Sequence, residues 1–267
     1  MTGGEGFIGS RLTDKLVELG HNVTVKDIRN KTSENVKKLR FPPYVDIVFH
    51  LAAQSRVQPS FFNPTGSFDT NVIGTSNIAR ECYTYGTKMI YAGSSSKHHN
   101  PYDSPYASSK FLGEEVCKTF KQCYDTNIEI ARFYNVYGPG EDLDPVNGNV
   151  IGIWRYCQEN GLTPKIVGDG NQRRDFTHVD DIVDGLIKIA FSDEKHEDAW
   201  ELGTGVNYSI NELALLFKTH HPEMDFEYIP EQKGNYRETL NTNTDAKDIL
   251  KWNPTDKLQN YILNEIN

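Results

Sequence analysis

Met1-Thr2-Gly3-Gly4-Glu5-Gly6-Phe7-Ile8-Gly9 runs directly into Ser10-Arg11-Leu12-Thr13-Asp14-Lys15-Leu16-Val17-Glu18-Leu19-Gly20. Gly4, Gly6 and Gly9 stand in a G-x-G-x-x-G pattern. Leu12, Leu16, Val17 and Leu19 form the apolar stripe of a helix that Gly20 ends. Residues 21–26 then read as a strand, closed by Asp27. This order of glycine turn, helix, strand and acidic strand end is the dinucleotide fingerprint. The glycines let the backbone approach a pyrophosphate at the helix N-terminus, and the carboxylate takes the ribose hydroxyls. Asp27 favours NAD over NADP because a carboxylate repels a ribose phosphate, with Arg29 nearby acting in the other sense. The fingerprint is expected to follow a buried central strand, yet only Met1 and Thr2 precede Gly3. The expectation is therefore a doubly wound parallel α/β sheet whose first strand is truncated or replaced.

Further along, Val45-Asp46-Ile47-Val48-Phe49-His50-Leu51-Ala52-Ala53-Gln54 is the nearly continuous apolar run of a strand buried on both faces. The stretch from Asp27 to Val45 is too short for another helix-strand-helix, so one strand of the usual sheet is expected to be missing or vestigial. His50 reads as a packed strand histidine. Residues 71–80 read as a helix, and Lys88-Met89-Ile90-Tyr91-Ala92-Gly93 as a strand that ends at Ser94-Ser95-Ser96. Open α/β sheets carry function at the carboxyl ends of their strands, which is the address of Ser94; Ser95 and Ser96 read as turn residues. In Pro105-Tyr106-Ala107-Ser108-Ser109-Lys110 a helix would set Tyr106 and Lys110 on one face. A neighbouring ammonium lowers the pKa of a phenol, ordinarily about 10, towards that of a usable base. Ser94 could hydrogen-bond the same substrate hydroxyl. Phe111, Leu112, Val116, Phe120 and Cys123 continue that helix, residues 128–135 form a strand, and Tyr137-Gly138-Pro139-Gly140 is a turn.

With 267 residues the chain is long enough for a full core, as one large domain or a domain with a smaller lobe. A net charge of −9 and pI near 5.4 disfavour nucleic acid or an anionic membrane as the main partner. Cys82, Cys117, Cys123 and Cys157 lack C-x-x-C spacing and fall in helical segments, which reads as reduced thiols and no metal site. With no apolar run of membrane-spanning length and no signal region, a cytoplasmic protein is expected.

Taken together, these segments resemble an extended short-chain dehydrogenase/reductase, specifically the NAD-dependent nucleotide-sugar epimerase/dehydratase family. The resemblance spans nearly the whole chain. It rests on the glycine block from Thr2 to Ser10, on His50-Leu51-Ala52-Ala53-Gln54, Asn71-Val72-Ile73-Gly74-Thr75 and the Tyr106 block. It continues through Phe133-Tyr134-Asn135-Val136-Tyr137-Gly138-Pro139-Gly140, Gly168-Asp169-Gly170-Asn171-Gln172-Arg173-Arg174-Asp175-Phe176, His178-Val179-Asp180-Asp181 and Leu202-Gly203-Thr204-Gly205. It implies that Ser94, Tyr106 and Lys110 are the catalytic triad. Gly3, Gly6, Phe7, Ile8, Gly9, Asp27, Leu51, Ala52 and Ala53 would hold NAD, with Lys110 on the nicotinamide ribose. Asn135, Asn149 and Arg174 would contact the sugar and diphosphate of the substrate.

The resemblance further implies an NAD domain of residues 1–135 and 174–205, a substrate lobe of residues 136–173 and 206–267, and a homodimer built on the helices near 71–85 and 106–124. The activity implied is a nucleotide-sugar epimerase (isomerase) acting at C4 of a UDP-hexose or UDP-N-acetylhexosamine, with an oxidoreductase, a 4,6-dehydratase or a non-catalytic nucleotide-binding member as alternatives. Three departures stand out. Residues 97–104 form a shortened loop, which implies a more open cover over the substrate. The Thr-Asp-Glu set of the family's dehydratases is Ser94-Ser95-Ser96 here, and elimination of water needs an acid/base pair that serines do not supply. The arginine that many 4-epimerases place before a Gly-Asp pair is absent before Gly234-Asn235, leaving Lys233 or Arg237 to supply its charge. Thr239 falls where the family admits or excludes an N-acetyl group, and its small side chain leaves room for one.

Overall fold

A computed structural model describes residues 1–29 and 35–264. The glycine-rich turn leads into α1 (Phe7–Glu18), and β1 (Ile47–His50) follows; the short helices α2 (Val57–Phe62) and α3 (Pro64–Phe68) come after it in the chain. A π-helical turn, Asp69–Gly74, opens into α4 (Thr75–Tyr85), then come β2 (Lys88–Ser94), α5 (Pro105–Tyr124) and β3 (Ile128–Phe133). The remaining elements are β4 (Val136–Tyr137), α6 (Val150–Glu159), β5 (Lys165–Val167), β6 (Arg173–Asp175), β7 (Thr177–His178), α7 (Val179–Phe191), β8 (Trp200–Leu202), β9 (Asn207–Ser209), α8 (Ile210–His220), β10 (Glu227–Ile229), α9 (Asp245–Asp248) and α10 (Leu258–Asn264).

The main sheet has the order β1-β2-β3-β8 and every pairing is parallel. Beyond β1 the sheet continues as single bridges. Thr2 pairs with His50 on one side and Lys26 on the other, through Thr2 N–H to the Phe49 carbonyl (3.0 Å), Leu51 N–H to Thr2 (3.1 Å) and Gly3 N–H to Lys26 (2.9 Å). The place of the first strand is thus held by Met1 to Gly3 themselves. The strand expected over 21–26 is correspondingly reduced to one bridged residue, because its neighbour is too short to offer a longer ladder. The described part of the segment between Asp27 and Val45 contains no strand; residues 30–34 lie outside the described residues.

Hydrophobic cores lie on both faces of the sheet. On one, Leu12 and Leu16 of α1 meet Ile182, Leu186 and Ile189 of α7 over Phe49, Ile90 and Ala131. On the other, Ile78 and Cys82 of α4 and Cys117 of α5 meet Val48, Met89, Tyr91 and Ile130. This double coverage is why the strands read as unbroken apolar runs. A third core joins α6, α8 and α10 through Trp154, Phe217, Leu213 and Tyr261. The four cysteines are free thiols. No helix among the described residues is long and apolar enough to cross a membrane.

Local chemistry sets the start of α5. Pro105 occupies its first turn, where a missing N–H costs nothing, and the Ser104 side chain accepts from Ala107 N–H (3.1 Å). The Tyr106 N–H, another donor without a helical partner, goes to the Ser60 hydroxyl (3.1 Å), which itself donates to the Val57 carbonyl (2.6 Å). The first turn of α2 therefore fixes the helix end that carries Tyr106.

Candidate active site

Gly3 has a φ of +72°, and a Cβ on it would lie 2.6 Å from the Ala52 nitrogen. A Cβ on Gly9 would collide with the Gly3 carbonyl. The loop and the start of α1 can press together and against the end of β1 only without side chains. Gly6 caps α1 with no side-chain acceptor, which leaves the N–H groups of the first turn, Phe7 and Ile8 included, for an anion. Asp27 is buried, and its two oxygens accept from Glu5 N–H (3.0 Å) and Arg29 N–H (2.9 Å), tying the glycine loop to the acidic strand end. The Arg29 guanidinium turns to the Glu5 carbonyl (2.9 Å). Leu51, Ala52 and Ala53, half-buried, line the side nearest β1. A bare glycine cradle, a free helix N-terminus and a fixed carboxylate fit the pyrophosphate and ribose of a dinucleotide.

Next to β1, Ser94 ends β2 and Tyr106 begins α5. The Tyr106 hydroxyl donates to Ser94 Oγ (3.2 Å), which also accepts from Ser96 N–H (3.2 Å). Burial raises the phenol from its ordinary pKa; the bond to Ser94 and the Arg56 guanidinium oppose that, while Glu114 adds to it.

Lys110 is four per cent exposed and sends its ammonium to the Tyr91 hydroxyl (3.2 Å) and the Ala92 carbonyl, over the Tyr91 ring. The spacing sets Lys110 on the Tyr106 face; in the structure its ammonium bonds Tyr91 and Ala92, and Arg56 is a further cation that opposes the rise of the Tyr106 phenol. An ammonium this deep must satisfy its donors, and Tyr91 and Ala92 are the acceptors in reach. Burial pushes Lys110 down to about 8, against the opposing influence of Glu114 and Cys117.

Three supports surround these groups. The Asn71 side chain, inside the π-turn, donates to the Gln54 carbonyl and the Ser109 hydroxyl (both 2.9 Å) and accepts from Gln54 N–H (2.8 Å). A π-turn re-aims one side chain within a helix, and here it ties the end of β1 to α5. Glu114 accepts from Ser94 N–H (3.4 Å) and from Arg132. His50 is bonded through Nδ1 to Thr2 (2.7 Å) and through Nε2 to Thr75 (3.1 Å); burial, with Lys110 and the N-terminus, lowers it to about 3, so it is the neutral packed histidine its position implied.

On the substrate side, Asn135 donates to the Asp175 carbonyl (2.9 Å) and to Thr239 Oγ1 (3.0 Å), so these two candidates meet directly. Asn149 caps α6 by accepting from Gly152 N–H (3.0 Å) and donates to the Val136 carbonyl (2.8 Å). Arg174 reaches Asn235 (2.6 Å) and is lowered to about 10 by burial. It does not pair with Asp175, which is fully buried and accepts from Thr204, Gly205 and Asn241 N–H. Arg237 is held in a two-pronged bridge to Asp169 (2.8 and 2.9 Å), and the Lys233 carbonyl accepts from Gln58 (2.9 Å). In the shortened loop His99 stacks on Tyr236 with ring centroids 4.0 Å apart. Among the described residues no group of His, Cys, Asp or Glu is placed to hold a metal ion.

The sequence reading passed over Arg56, Asn71, Tyr91, Glu114 and Tyr236. For Arg56 a signal existed: it follows the carboxyl end of β1, the same address that singled out Ser94.

The profile of the family described as "NAD dependent epimerase/dehydratase family" matches residues 1–203. A UDP-glucose 4-epimerase of Mycolicibacterium smegmatis is 31% identical over 95% of this chain and 92% of its own length. UDP-glucuronic acid decarboxylase 4 of Arabidopsis thaliana is 27% identical over 95% of this chain and 64% of its own. Among solved structures, MoeE5 in complex with UDP-glucose and NAD superposes with a TM-score of 0.89 at 27% identity, covering 99% of this chain and 96% of that one.

Proposed function

The chain belongs to the NAD-dependent epimerase/dehydratase family of extended short-chain dehydrogenases/reductases, and on that premise we propose that it inverts C4 of a nucleotide sugar through a transient 4-keto sugar. The observation that carries this reading is the Tyr106–Ser94 pair, 3.2 Å apart, where the start of α5 meets the carboxyl end of β2, one strand removed from the glycine cradle. NAD in that cradle supplies a hydride acceptor that can return the hydride. Tyr106 takes the proton of the C4 hydroxyl and gives it back after the ring turns about its diphosphate link, while Ser94 steadies the oxygen. Lys110, still mostly ammonium at neutral pH, keeps positive charge behind the phenolate and beside the ribose. Asn135, Asn149 and Arg174 are assigned to the sugar and diphosphate, and remote binding of the nucleotide holds the reactive ring in place. The small Thr239 is assigned as the residue that admits an N-acetyl group. That assignment is withdrawn if UDP-glucose stays preferred whatever the size of the side chain at 239.

Several observations support an epimerase over its relatives. Ser95 and Ser96 offer no carboxylate for the proton transfers of dehydration. The similar UDP-glucose 4-epimerase is matched over 92% of its own length, the decarboxylase over 64% of its own. Residues 1–135 and 174–205 are proposed as the NAD domain and 136–173 and 206–267 as the substrate lobe, in a reduced, cytoplasmic setting consistent with four free thiols. The decisive experiment incubates the purified protein with UDP-hexoses, UDP-N-acetylhexosamines, UDP-glucuronate and GDP- and dTDP-sugars and resolves the products chromatographically. Interconversion of C4 epimers without net release of NADH is expected. Net NADH release, a 4-keto-6-deoxy product, or no conversion despite bound NAD would each overturn the reading.

Arg56 gives this mechanism a pH signature. Its guanidinium opposes the rise of the Tyr106 pKa, so Arg56→Met raises that pKa further. The phenolate then forms only at higher pH, and the acid limb of the kcat/KM profile is expected to move to higher pH, with activity lost on that limb and kept on the plateau. A superimposable profile would remove Arg56 from the mechanism.

A homodimer is part of the same proposal. Val72, Ser76, Leu112, Val116, Thr119 and Phe120 line a groove between α4 and α5, and Ile73 and Leu112 stand exposed beside it. A second copy of this face would cover them. Light scattering is expected to give twice the 30.3 kDa chain mass, and a monomer at micromolar concentration would contradict it.

A further inference from the structure

The turn containing Gly234 lies on the two elements that hold Tyr106. Gly234 has a φ of +76°, and a Cβ there would come within 2.8 Å of Val57 Cγ1, 3.2 Å of Ser104 Cβ and 3.3 Å of the Asp103 carbonyl. Only glycine permits both the conformation and the approach. Gln58 adds a bond from α2 to the Lys233 carbonyl (2.9 Å). Two residues on, the Tyr236 ring lies flat on His99, its plane inclined by 10°. Its hydroxyl is buried and has no hydrogen-bond partner among the described residues; the Ser104 side chain lies beside it without the geometry of a bond. Burial raises this phenol to about 12, with Tyr106 and Asp103 adding to the rise and Arg174 opposing it, so it is protonated and able to donate.

The position is specific. Two residues before Tyr236, Gly234 packs on Ser104, the cap of the helix turn that carries Tyr106, and the neighbouring Asn235 holds Arg174 (2.6 Å). A hexose whose C4 hydroxyl meets Tyr106 and whose diphosphate meets Arg174 must pass between them. Tyr102, the tyrosine of the 97–104 loop, is 87% exposed and turned away. A buried hydroxyl nearly always has a partner, and an orphaned one at this place marks where a ligand oxygen belongs. We propose that Tyr236 is a sugar-binding residue whose hydroxyl donates to an oxygen of the hexose ring or its hydroxyls, while the stack on His99 keeps the ring immobile. The inference rests on the nucleotide-sugar reading above and adds to it a contact from the C-terminal segment.

Tyr236→Phe keeps the ring and its stack and removes only the donor. Its test compares wild type and variant for calorimetric binding of UDP-glucose, UDP-N-acetylglucosamine, UDP-glucuronate and plain UDP, together with kcat/KM for whichever sugar the wild type converts. The expected result is a roughly tenfold loss in kcat/KM and in affinity for the nucleotide sugar, about 1.4 kcal/mol, with UDP affinity and NAD content unchanged. Equal weakening of UDP and UDP-sugar overturns the proposal by moving the contact to the nucleotide. So does an unchanged variant of an active wild type, which leaves the epimerase reading standing. A wild type that retains NAD but neither binds nor converts any nucleotide sugar overturns both.

Discussion

Tyr106→Phe is expected to lower turnover of the converted nucleotide sugar by about 10³-fold while the protein keeps its NAD and its fold. Proton transfer by a positioned side chain contributes on the order of 10² to 10⁴ in rate, and among the described residues the neighbours Lys110, His50, Ser94 and the protonated Tyr236 are poorly placed or poorly basic replacements for the phenol. Lys110 is turned to Tyr91 and Ala92, His50 is locked between Thr2 and Thr75, and the Ser94 hydroxyl is a poor base. The substitution is also conservative in structure. The Tyr106 contact that fixes α5 is its backbone N–H to Ser60, which phenylalanine retains, and Ser94 Oγ still accepts from Ser96 N–H. Thermal unfolding and released NAD should therefore match the wild type, and substrate affinity, set mainly by the nucleotide, should change little. A fall of less than tenfold would mean that the C4 proton leaves by another route and that Tyr106 is not the base.

The parts of this site that were legible in the sequence share one property: they are encoded locally. A glycine turn followed by a 3.6-residue stripe, an acid at the end of an apolar-polar run, and a tyrosine and lysine one helical turn apart need no tertiary information to be found; the structure keeps the turn, both helices and the Tyr106–Lys110 spacing, while the run before Asp27 becomes one bridged residue. What the sequence did not show comes from side chains that meet across elements. The direction of the Lys110 ammonium depends on acceptors in β2, residues 91 and 92, that no spacing rule connects to it. Arg56 acts on Tyr106 only because α2 folds onto the start of α5. Tyr236 lies 130 residues beyond Tyr106 in the chain and reaches the site through a turn whose Gly234 makes sense only once Ser104 and Val57 are seen against it. That Thr2 bridges both Lys26 and His50 depends on the backbone path of three separate segments.

Arg132→Met is expected to destabilise the protein by about 3–5 kcal/mol at pH 8, the cost of leaving buried carboxylates without their cation. Arg132, one per cent exposed, bonds Glu114 of α5 (2.8 and 3.0 Å), Glu201 of β8 (2.8 Å) and Asp198 (2.7 and 2.9 Å). Burial alone would raise Glu201, but His98 and Arg132 hold it below its ordinary pKa. Tyr134 donates to its other oxygen (2.9 Å), while Lys118 bridges the half-exposed Asp198 (2.5 Å). Methionine fills much of the space and removes the charge, so burial of Glu201 is then opposed by His98 without Arg132, and its pKa rises in the folded state. A group whose folded pKa lies above its unfolded value loses stability as pH rises through the interval between them. The penalty should accordingly be smaller at pH 5 than at pH 8, since lower pH favours the protonated form of Glu201, and denaturant titration at both values measures it. Because Glu114 also accepts from the Ser94 N–H, kcat is expected to fall even where the variant is fully folded. A loss below about 1 kcal/mol, or one independent of pH, would show that His98, Lys118 and solvent already compensate these carboxylates and that Arg132 is not what holds α5, β3 and β8 together beneath the site.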